Sequence, residues 1–409
     1  MYLYNYQYLK NKKTHFLIFL FIFSLLIRIP SVFFFGDTSL ENEWSIIVDN
    51  LVNYNKFSFL RFDGFFVPNV FMPPLYAFYL YFFKIFNFSN EIYIQLILFS
   101  QCVLSSFSVV IFYMINKFFF SNKISILGAL IFSIFPLHIF ACGQISSIIL
   151  QSFLTIMFFY FFIKISKKNN FFNIFILSLA SGLLMLLRAE FLALFIFSIF
   201  YLAFFSKINI KSILIMVLLT LFVISPYLIR NIIVLDTATI TKSIGFNLWK
   251  GNNPNAKVEG NPDYQANANI VEQVDRIPKD KRYHINFDKI FLDEGLKNIK
   301  NDPLKYLKLY IEKVLSFIFM DINSSYYNYY HPLHYIPVLF IGITSIVGII
   351  LSNKKSFHIN FFMLFFIVQV AMISVFFILP RYKLAIIPLQ IIFSNILFEY
   401  MKNKLAIKK

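Results

Sequence analysis

Long apolar runs recur from one end of the 409-residue chain to the other, and they restrict its fold more than any other feature. A helix needs about 20 apolar residues to cross roughly 30 Å of hydrocarbon, and several runs reach that length. Apolar residues make up 59% of the chain and its mean hydropathy is +0.70, far above the values of a soluble domain. A membrane β-barrel would instead show short alternating segments. The sequence therefore predicts an all-α polytopic membrane protein.

The apolar runs divide into about ten transmembrane helices, within a range of roughly 9–12. The first run, His15 to Phe35, follows three lysines and lacks a small-residue cleavage site, which favours a signal anchor over a cleaved signal peptide. The predicted spans lie at about 15–35, 91–115, 124–142, 145–163, 171–187, 190–206, 212–229, 333–352, 359–379 and 382–401.

Lysine clusters predict the orientation of these spans. With ten spans, all the clusters fall on one side, which the positive-inside rule identifies as the cytoplasm. They are Lys10 to Lys13, Lys117 with Lys123, Lys164 to Lys168, Lys207 with Lys211, Lys354 with Lys355, and Lys402 to Lys409. We therefore expect both termini in the cytoplasm and the protein in a bacterial inner membrane. Because these loops explain the net charge of +17, no nucleic-acid partner is expected.

The polar segments are predicted on the opposite, periplasmic side. We expect an N-terminal transmembrane module at 1–229 with a first outer loop at 36–90. A loop-rich extracytoplasmic region follows at 230–332, and C-terminal transmembrane helices occupy 333–409. Within that region, the charges of 303–320 suit an interfacial amphipathic helix better than an additional span. Two loops displayed on one face indicate a site there.

The first outer loop contains a predicted amphipathic helix over residues 40–54. Its apolar residues recur at helical spacing and would form one stripe: Trp44, Ile47, Val48, Leu51 and Val52. At 100° per residue, Glu41 falls within this stripe, whereas Glu43 and Asp49 fall on its flanks. Glu41 is therefore expected to face the protein body, where an unpaired carboxylate would be costly.

Each acid of this loop also has a structural explanation. Thr38-x-x-Glu41 matches a capping box, in which the glutamate satisfies the backbone at the helix start. Asp49 suits a solvated surface. Asp37 stands where the first span ends, and its position fits either a catalytic acid or an ordinary loop acid.

Further elements along the chain show a recognisable order. The loop reads ENEWSIIVDNLVNYNKF from Glu41 and continues to Pro73-Pro74. The later elements are LLMLLRAEFL (183–192), PYLIRNIIV (226–234), GFNLWKGNNPNA (245–256), NDPLKYLKLYIEKVLSF (301–317) and PRYKLAIIPLQ (380–390). Together they resemble the GT-C superfamily of membrane glycosyltransferases, in the branch related to protein O-mannosyltransferases and aminoarabinose transferases.

This resemblance implies a GT-C-like helical bundle whose extracytoplasmic loops form the site. It implies a hexosyl- or pentosyltransferase that moves a sugar from a polyprenyl-phosphate donor to a glycan, lipid or protein acceptor. Such a transfer needs a base for the acceptor hydroxyl, and a positioned carboxylate can supply it. Glu41 takes the place of the family's leading aspartate and is the first candidate, followed by Glu43 and Asp37.

The leaving lipid phosphate needs cations, because negative charge grows on its oxygens. Arg188, Arg230 and Arg381 are predicted at the outer ends of spans and are the phosphate-binding candidates. The alternatives are an ion pair with Glu190 or snorkelling to the interface for Arg188, a helix-end anchor for Arg230 and an interfacial anchor for Arg381. The candidates for the substrate pocket are Trp44, Asn247, Trp249, Asn252, Asn253 and Tyr382. A turn that packs the outer region is the alternative role for the asparagine-rich element.

The sequence leaves the cofactor and the reaction class partly open. Cys102 and Cys142 lie in apolar runs and form no disulfide or metal pattern. His331-x-x-His334 has metal-like spacing, although interfacial packing is favoured, and a divalent metal is neither required nor excluded. The alternative functions are a transporter or flippase of lipid-linked sugars and a ligase of lipid-linked glycans. A transporter would place its polar groups near the midplane, whereas here they gather at one face.

Overall fold

The structure is a computed structural model that describes residues 2–206, 208–326, 329, 331–352 and 356–407, with side chains from residue 14 except at 332 and 407. In these ranges nearly all of the regular secondary structure is helical. The helices are α1 Tyr2–Phe35, α2 Asn42–Tyr54, α3 Pro74–Lys84, α4 Asn90–Asn116, α5 Asn122–Ser133, α6 Pro136–Cys142, α7 Ile148–Lys167, α8 Phe171–Leu187, α9 Phe191–Phe205, α10 Ile210–Leu235, α11 Ile244–Asn252, α12 Ala268–Asp275, α13 Tyr283–Asn301, α14 Pro303–Ile318, α15 Pro332–Leu351, α16 Phe357–Ser374 and α17 Ile387–Ile407. A short hairpin joins β1 Leu60–Phe62 to β2 Phe65–Val67, and Pro380–Ala385 forms a 3-10 helix.

The predicted all-α membrane fold is confirmed. Six helices of the described chain are long and apolar enough to cross a membrane, and α5 with α6 forms a seventh candidate span that is bent by 47°. Helices α8 and α9 are apolar but shorter, at 17 and 15 residues. Together with α17 they occupy the three remaining predicted spans. Of the predicted lysine clusters, Lys207, Lys354, Lys355, Lys408 and Lys409 lie outside the described residues.

The outer ends of the last two spans differ from the prediction. Helix α16 ends at Ser374 instead of about 379, and α17 begins at Ile387 instead of about 382. The intervening residues run through an extended stretch into the 3-10 helix that starts at Pro380. Because proline lacks an N–H, it suits such a start and cannot continue the preceding helix. The irregular segment contains Arg381, which lines two of the cavities described below.

Aromatic side chains fill the bundle between α7 and α16. The rings of Phe162 and Phe361 stack with centroids 3.7 Å apart, and both residues are fully buried. Phe159 meets Phe365 edge to face at 5.0 Å. Aromatic pairs of this kind add about 0.5–1.5 kcal/mol beyond the burial of their area. The phenylalanine-rich composition is therefore used for interior packing as well as for lipid contact.

A buried arginine ties the first span to the bent span. The Arg28 guanidinium is fully buried and donates to the Ser24 hydroxyl at 2.6 Å, the Ser105 hydroxyl at 2.6 Å and the Ser133 carbonyl at 3.0 Å. Ser133 is the last residue of α5, where helix carbonyls lack intrahelical donors. His138 continues the network, since its ring nitrogens contact the hydroxyls of Ser105 and Ser152.

Helix α2 of the first outer loop carries the predicted apolar stripe, with one correction at its start. Ile47, Val48 and Leu51 are buried, whereas Val52 is exposed. The helix begins at Asn42, so Glu41 precedes it and is exposed instead of lying within the stripe. The capping-box alternative is also wrong, because the Glu41 side chain makes no capping bond and accepts from the Ser39 hydroxyl at 2.9 Å.

The outer region between α10 and α15 has a small core of its own. Trp249, Ile270, Val274, Ile277 and Phe291 form it. Helix α14 is amphipathic, as expected for residues 303–320. It buries Tyr306 and Leu309 and exposes an apolar row at Leu304, Leu307, Ile311 and Leu315. This exposed row suits a helix that lies at a membrane interface.

Candidate functional site

A polar cavity of about 400 Å³ lies on the side of the bundle where α2, the α8–α9 turn and the 3-10 helix meet. We call it the central cavity. Its wall brings together predicted site residues from four separate parts of the chain: Glu43, Trp44, Arg188, Asn247, Arg381 and Tyr382. Glu190 and Ser146 also line it. Predicted site residues that lie up to about 340 positions apart in the sequence therefore line one cavity.

An apolar cavity of about 360 Å³ adjoins the central cavity. The two share Arg188, Glu190, Asn247 and Tyr382. The remaining wall is mostly apolar and comes from α9, α11 and the end of α16: Leu192, Ala193, Ile244, Met372, Ile373, Phe376 and Phe377. A pocket with an apolar body and a few polar groups at one end fits an amphipathic ligand.

A third cavity, of about 420 Å³, lies on the other side of Arg381. We call it the Asp37 cavity. Aromatic residues Phe140, Tyr326 and Tyr329 line it together with Asp37. Ile145, Ser146 and Arg381 belong to both this cavity and the central cavity. Arg381 is therefore placed between two compartments.

Two arginines flank the ring of Tyr382. The guanidinium carbon of Arg188 lies 5.3 Å from the ring centroid and that of Arg381 lies 5.9 Å from it. Arg188 has one distant acidic neighbour, Glu190, at 4.0 Å, and its Nε is buried without a hydrogen-bond partner. A buried donor without a partner costs about 1–3 kcal/mol. The arrangement therefore suits an anionic ligand that would bind these donors.

Asp37 is held at the rim of its cavity by the turn that precedes α7. Its Oδ2 accepts the N–H of Ile145 at 2.6 Å, and its own N–H donates to the Gly143 carbonyl at 2.8 Å. Burial raises the pKa of Asp37 above its ordinary value, the Ile145 hydrogen bond opposes that rise, and the charge of Glu41 adds to it. A carboxylate with a raised pKa is a better proton acceptor than an ordinary one.

The other two acids differ in position. Glu43 lies in the first turn of α2, is exposed, and lines the central cavity with the arginines. Glu41 lines a smaller neighbouring cavity together with Asp37. The structure therefore brings Asp37 and Glu43 to compartments that contain Arg381, while Glu41 stands one compartment away from it.

Arg230 does not line these cavities. Its Nη1 donates to the Asn69 carbonyl at 3.0 Å and to the Asn231 side chain at 2.7 Å, and its guanidinium packs on Phe57 and Tyr227. These contacts tie α10 to the first outer loop. The structure thus favours the anchoring alternative for Arg230 over phosphate binding.

Three predicted pocket residues of the α11 segment also have structural contacts. Trp249 is buried in the small core of the outer region. The Asn252 amide donates to the carbonyls of Leu248 and Val375, both at 2.8 Å, and the Asn253 amide donates to the Asn261 carbonyl at 2.7 Å. They therefore build the wall instead of contacting the cavity, which is the packing alternative.

Close backbone approach explains the glycine beside these asparagines. A Cβ on Gly251 would stand 1.8 Å from the Phe376 carbonyl oxygen. Glycine at this position lets α11 press against the end of α16 and so places Phe376 and Phe377 in the apolar cavity.

Two buried lysines stabilise the cavity wall that α11 forms. The Lys313 ammonium donates to the Gly251 carbonyl at 2.7 Å and to the Asn252 side chain at 3.2 Å. The Lys383 ammonium donates to the carbonyls of Ser316 at 2.6 Å and Phe317 at 2.9 Å. Both lysines satisfy carbonyls at helix C-termini, where a positive charge is favourable. They connect α11, α14 and the 3-10 helix that carries Arg381.

The described residues contain no group of three or more His, Cys, Asp or Glu side chains placed to hold a metal ion. His334 Nδ1 lies 2.6 Å from the Tyr329 carbonyl, and His331 Nδ1 accepts the Leu333 N–H at the start of α15. These contacts favour the packing alternative for the pair. Cys102 and Cys142 are free and buried. No step proposed below uses a metal.

Sequence reasoning did not single out Lys250 or the cavity-lining role of Glu190. Lys250 extends its ammonium over Phe377, 4.1 Å from the ring centroid, and is close enough to Arg381 and Glu43 for both charges to act on its pKa. Its position in the GFNLWKGNNPNA element, next to Asn247, was the only available signal. Glu190 was considered solely as a partner of Arg188.

Comparison with known proteins supports the fold. No family model and no curated protein matches the sequence. Among solved structures, the chain is similar to the oligosaccharyltransferase AglB from Archaeoglobus fulgidus in complex with an inhibitory peptide and a dolichol-phosphate, with 13% identity over 97% of this chain and 51% of that one, at a TM-score of 0.54. An Archaeoglobus fulgidus oligosaccharyltransferase in complex with Zn and sulfate gives 14% identity over 96% and 49%, also at 0.54.

A weaker likeness is to ArnT from Cupriavidus metallidurans, with 10% identity over 95% of this chain and 78% of that one, at a TM-score of 0.42. The two oligosaccharyltransferase structures show that this chain shares their fold, in line with the fold that the sequence resemblance implies. The chain spans about half the length of these oligosaccharyltransferases.

Proposed function

We propose that the protein is a membrane glycosyltransferase that transfers a sugar from a polyprenyl-phosphate donor to an acceptor hydroxyl. The observation that carries this proposal is the junction of two cavities at Arg188 and Tyr382. An apolar cavity suited to a prenyl chain meets a polar cavity lined by arginines, so one amphipathic ligand fits both. The GT-C fold is consistent with this chemistry.

The residues divide between donor and acceptor. Arg188 and Arg381 would bind the phosphate and stabilise the charge that grows on it as the sugar leaves. Asn247 and Trp44 face the same space and would contact the sugar. The Asp37 cavity, across Arg381, would receive the acceptor. The fine identity of the sugar and of the acceptor, whether glycan, lipid or protein, is left to experiment.

Asp37 is the best-placed base for the acceptor hydroxyl in this arrangement, with Glu43 second and Glu41 third. The acceptor oxygen attacks the anomeric carbon, its proton passes to the carboxylate, and the bond from the anomeric carbon to the donor phosphate breaks with its electron pair staying on the phosphate oxygen. The raised pKa of Asp37 favours proton uptake. This order reverses the sequence-based ranking, because Glu41 is exposed.

The proposed orientation places the three cavities on the periplasmic face of a bacterial inner membrane with both termini in the cytoplasm. Its support is the one-sided lysine distribution. Labelling of single cysteines introduced at exposed Asp49 and exposed Lys168 would test it in intact cells. A membrane-impermeant maleimide is expected to label the first site alone, and the reverse pattern would contradict the orientation.

The activity test uses purified full-length protein in lipid nanodiscs and radiolabelled polyprenyl-phosphate sugars with a membrane lipid extract as acceptor. We expect transfer by wild type and a fall of about 10²–10⁴-fold for Asp37→Asn. Asp49→Asn is the matched control, since this exposed acid lies outside the central and Asp37 cavities. Loss in Glu41→Gln alone would restore the sequence-based ranking.

The alternative of a transporter predicts a different result in the same experiment. A flippase would bind the lipid and move it between leaflets without forming a product, and Asp37→Asn would leave that movement unchanged. A ligase of whole glycans would transfer only from donors with several sugars. Donors with one sugar and with several sugars therefore separate the two enzymatic readings.

A further inference from the structure

The turn between α6 and α7 at residues 143–145 contacts Asp37 through two hydrogen bonds. The Asp37 N–H donates to the Gly143 carbonyl at 2.8 Å, and its Oδ2 accepts the Ile145 N–H at 2.6 Å. The first bond fixes the position of the residue, and the second fixes the direction in which the carboxylate points. The geometry of the proposed base therefore depends on the geometry of this turn.

Gln101 of α4 binds this turn from the interior of the bundle. The side chain is 1% exposed, and its Nε2 donates to the carbonyls of Cys142 at 3.1 Å and Gln144 at 3.0 Å. These two residues directly precede and follow Gly143 at the end of α6, where the last carbonyls lack intrahelical donors. Because a buried hydrogen bond is electrostatically stronger than one in water, the two bonds restrict the turn.

A third contact fixes the orientation of the Gln101 amide. Its Oε1 accepts the phenol of Tyr76 at 3.4 Å, and Tyr76 is itself 1% exposed. Since the amide nitrogen is the donor and the amide oxygen the acceptor, only one orientation of the amide satisfies all three partners. Tyr76 also meets Trp44 of the central cavity edge to face at 5.2 Å. Gln101 lies outside the cavities described above.

The turn also fits closely against the end of α1, which precedes Asp37. A Cβ on Gly143 would stand 3.2 Å from the Ser31 carbonyl oxygen and 3.3 Å from that of Phe35. The Gln144 side chain donates to the Phe35 carbonyl at 2.9 Å. Because close-packed interiors transmit a displacement instead of absorbing it, a shift of the turn reaches the carboxylate.

We propose that Gln101 is a positioning residue for sugar transfer, which directs the Asp37 carboxylate toward the acceptor hydroxyl through the 143–145 turn. This inference rests on the proposed function and adds to it a residue outside the cavities that would bind the substrates. A general base must lie about 2.6–3.2 Å from the oxygen whose proton it accepts. A misplacement of about 1 Å lowers a rate by about 10²-fold. Loss of the Gln101 amide should therefore slow proton transfer and leave donor binding unchanged.

The pH dependence of transfer separates positioning from folding. The Ile145 N–H bond stabilises the ionised carboxylate and so opposes the rise in the pKa of Asp37 that burial causes. A looser turn weakens this bond, raises the pKa of Asp37 further and moves the acid limb of the transfer rate to higher pH. The described titratable and charged groups that face Asp37 stay unchanged in the variants below: Glu41, Tyr76, Tyr326, Tyr329 and Arg381.

The test uses Gln101→Met, which keeps the length of the side chain and removes both of its donated bonds. Full-length protein in lipid nanodiscs is assayed with the radiolabelled donor and the acceptor extract described above. We expect kcat to fall about 10–10²-fold, KM for the donor to change by less than about twofold, and the acid limb to move to higher pH. Hydrogen exchange resolved by peptide should become faster over the 143–145 turn. Gln95→Met, at an exposed glutamine of the same helix, is the control and should match wild type.

Gln101→Asn provides a second measurement if Gln101→Met does not fold. Its amide is one methylene shorter and cannot reach both carbonyls, so a smaller loss of kcat in the same direction is expected. Faster exchange of the turn with an unchanged kcat and acid limb, in whichever variant folds, would overturn the inference and leave the proposed function standing.

A purely structural role for Gln101 would give another pattern. The yield of folded protein would fall while kcat per folded molecule and the acid limb stayed at their wild-type values, or neither variant would fold, and both results would overturn the positioning role. An absence of transfer by wild type would instead refute the proposed function, and the positioning role with it.

Discussion

Arg28 inside the bundle and Arg381 at the outer cavities show two different uses of a buried or half-buried cation. Arg28 uses its Nε and Nη1 to donate to two serine hydroxyls and two backbone carbonyls, near the end of α5. Arg381 has no salt bridge or hydrogen bond among the described side chains and lies between two cavities. Protein groups thus bind the Nε and Nη1 of the first cation, whose buried Nη2 lacks a partner, whereas the second cation faces two cavities that can admit a ligand.

Removing the outer cation should give the largest functional effect. Arg381→Gln is expected to reduce sugar transfer by about 10²–10³-fold, because one charged donor to the leaving phosphate is lost. Its thermal unfolding midpoint should stay close to wild type. Transfer is measured in nanodiscs, with Arg276→Gln as an exposed control. Full activity in Arg381→Gln would show that Arg381 is not needed for sugar transfer.

Removing the inner cation should damage stability instead. Arg28→Met is expected to cost about 3 kcal/mol or more, because the Ser133 carbonyl and the Ser105 hydroxyl lose a charged partner. Gel filtration in detergent and a thermal midpoint report the loss. Activity per folded molecule should remain near wild type. A variant that folds normally yet transfers nothing would show that Arg28 has a functional role and not only a structural one.

The buried lysines also make the stability of the protein depend on pH. Burial lowers the pKa of Lys313 to about 7 from an ordinary 10.5. Between these values the unfolded state binds more protons than the folded state, so stability should rise as pH increases from about 7 to about 10 and stay level below 7. The thermal midpoint of Lys313→Met should show a smaller rise, because Lys383, whose pKa burial also lowers, still contributes. An equal rise in the variant would contradict the assignment.

The smallest effect is expected at Glu41. Its negative charge helps raise the pKa of Asp37, so Glu41→Gln should move the acid limb of the transfer rate to lower pH. At neutral pH the rate should change by no more than about twofold, because the charge of Glu41 is the smallest of the three influences on the pKa of Asp37. A pH profile of transfer from about 4 to about 8 measures the shift. No displacement of the limb would show that another group controls it.

Much of the fold follows from the sequence because membrane spans are long, apolar and satisfied within themselves. Helices α4 and α8 begin and end within about one residue of their predicted bounds. The errors occur where backbone geometry is local. The start of α2 at Asn42 changes which way Glu41 faces, and α16 ends at Ser374 although the apolar residues continue to Leu379.

The site was predicted in part, and the reason is visible in the α11 segment. Asn247 faces the central cavity, while Asn252 and Asn253 bond to backbone carbonyls within the wall. All three are asparagines of one short segment, so sequence could place the segment but not the direction of each side chain. The sequence also did not distinguish Lys250 from other lysines, because lysines are common throughout this chain.

The bond between Lys383 and the end of α14 has a mechanical consequence. Lys383 lies two residues from Arg381 and holds the last carbonyls of a helix whose apolar row faces outward. A helix with such a row is expected to lie in the membrane interface, where its position depends on the surrounding lipids. A shift of α14 in a membrane of different thickness would therefore displace Arg381, and we expect the proposed sugar transfer to vary in rate with the thickness of the membrane.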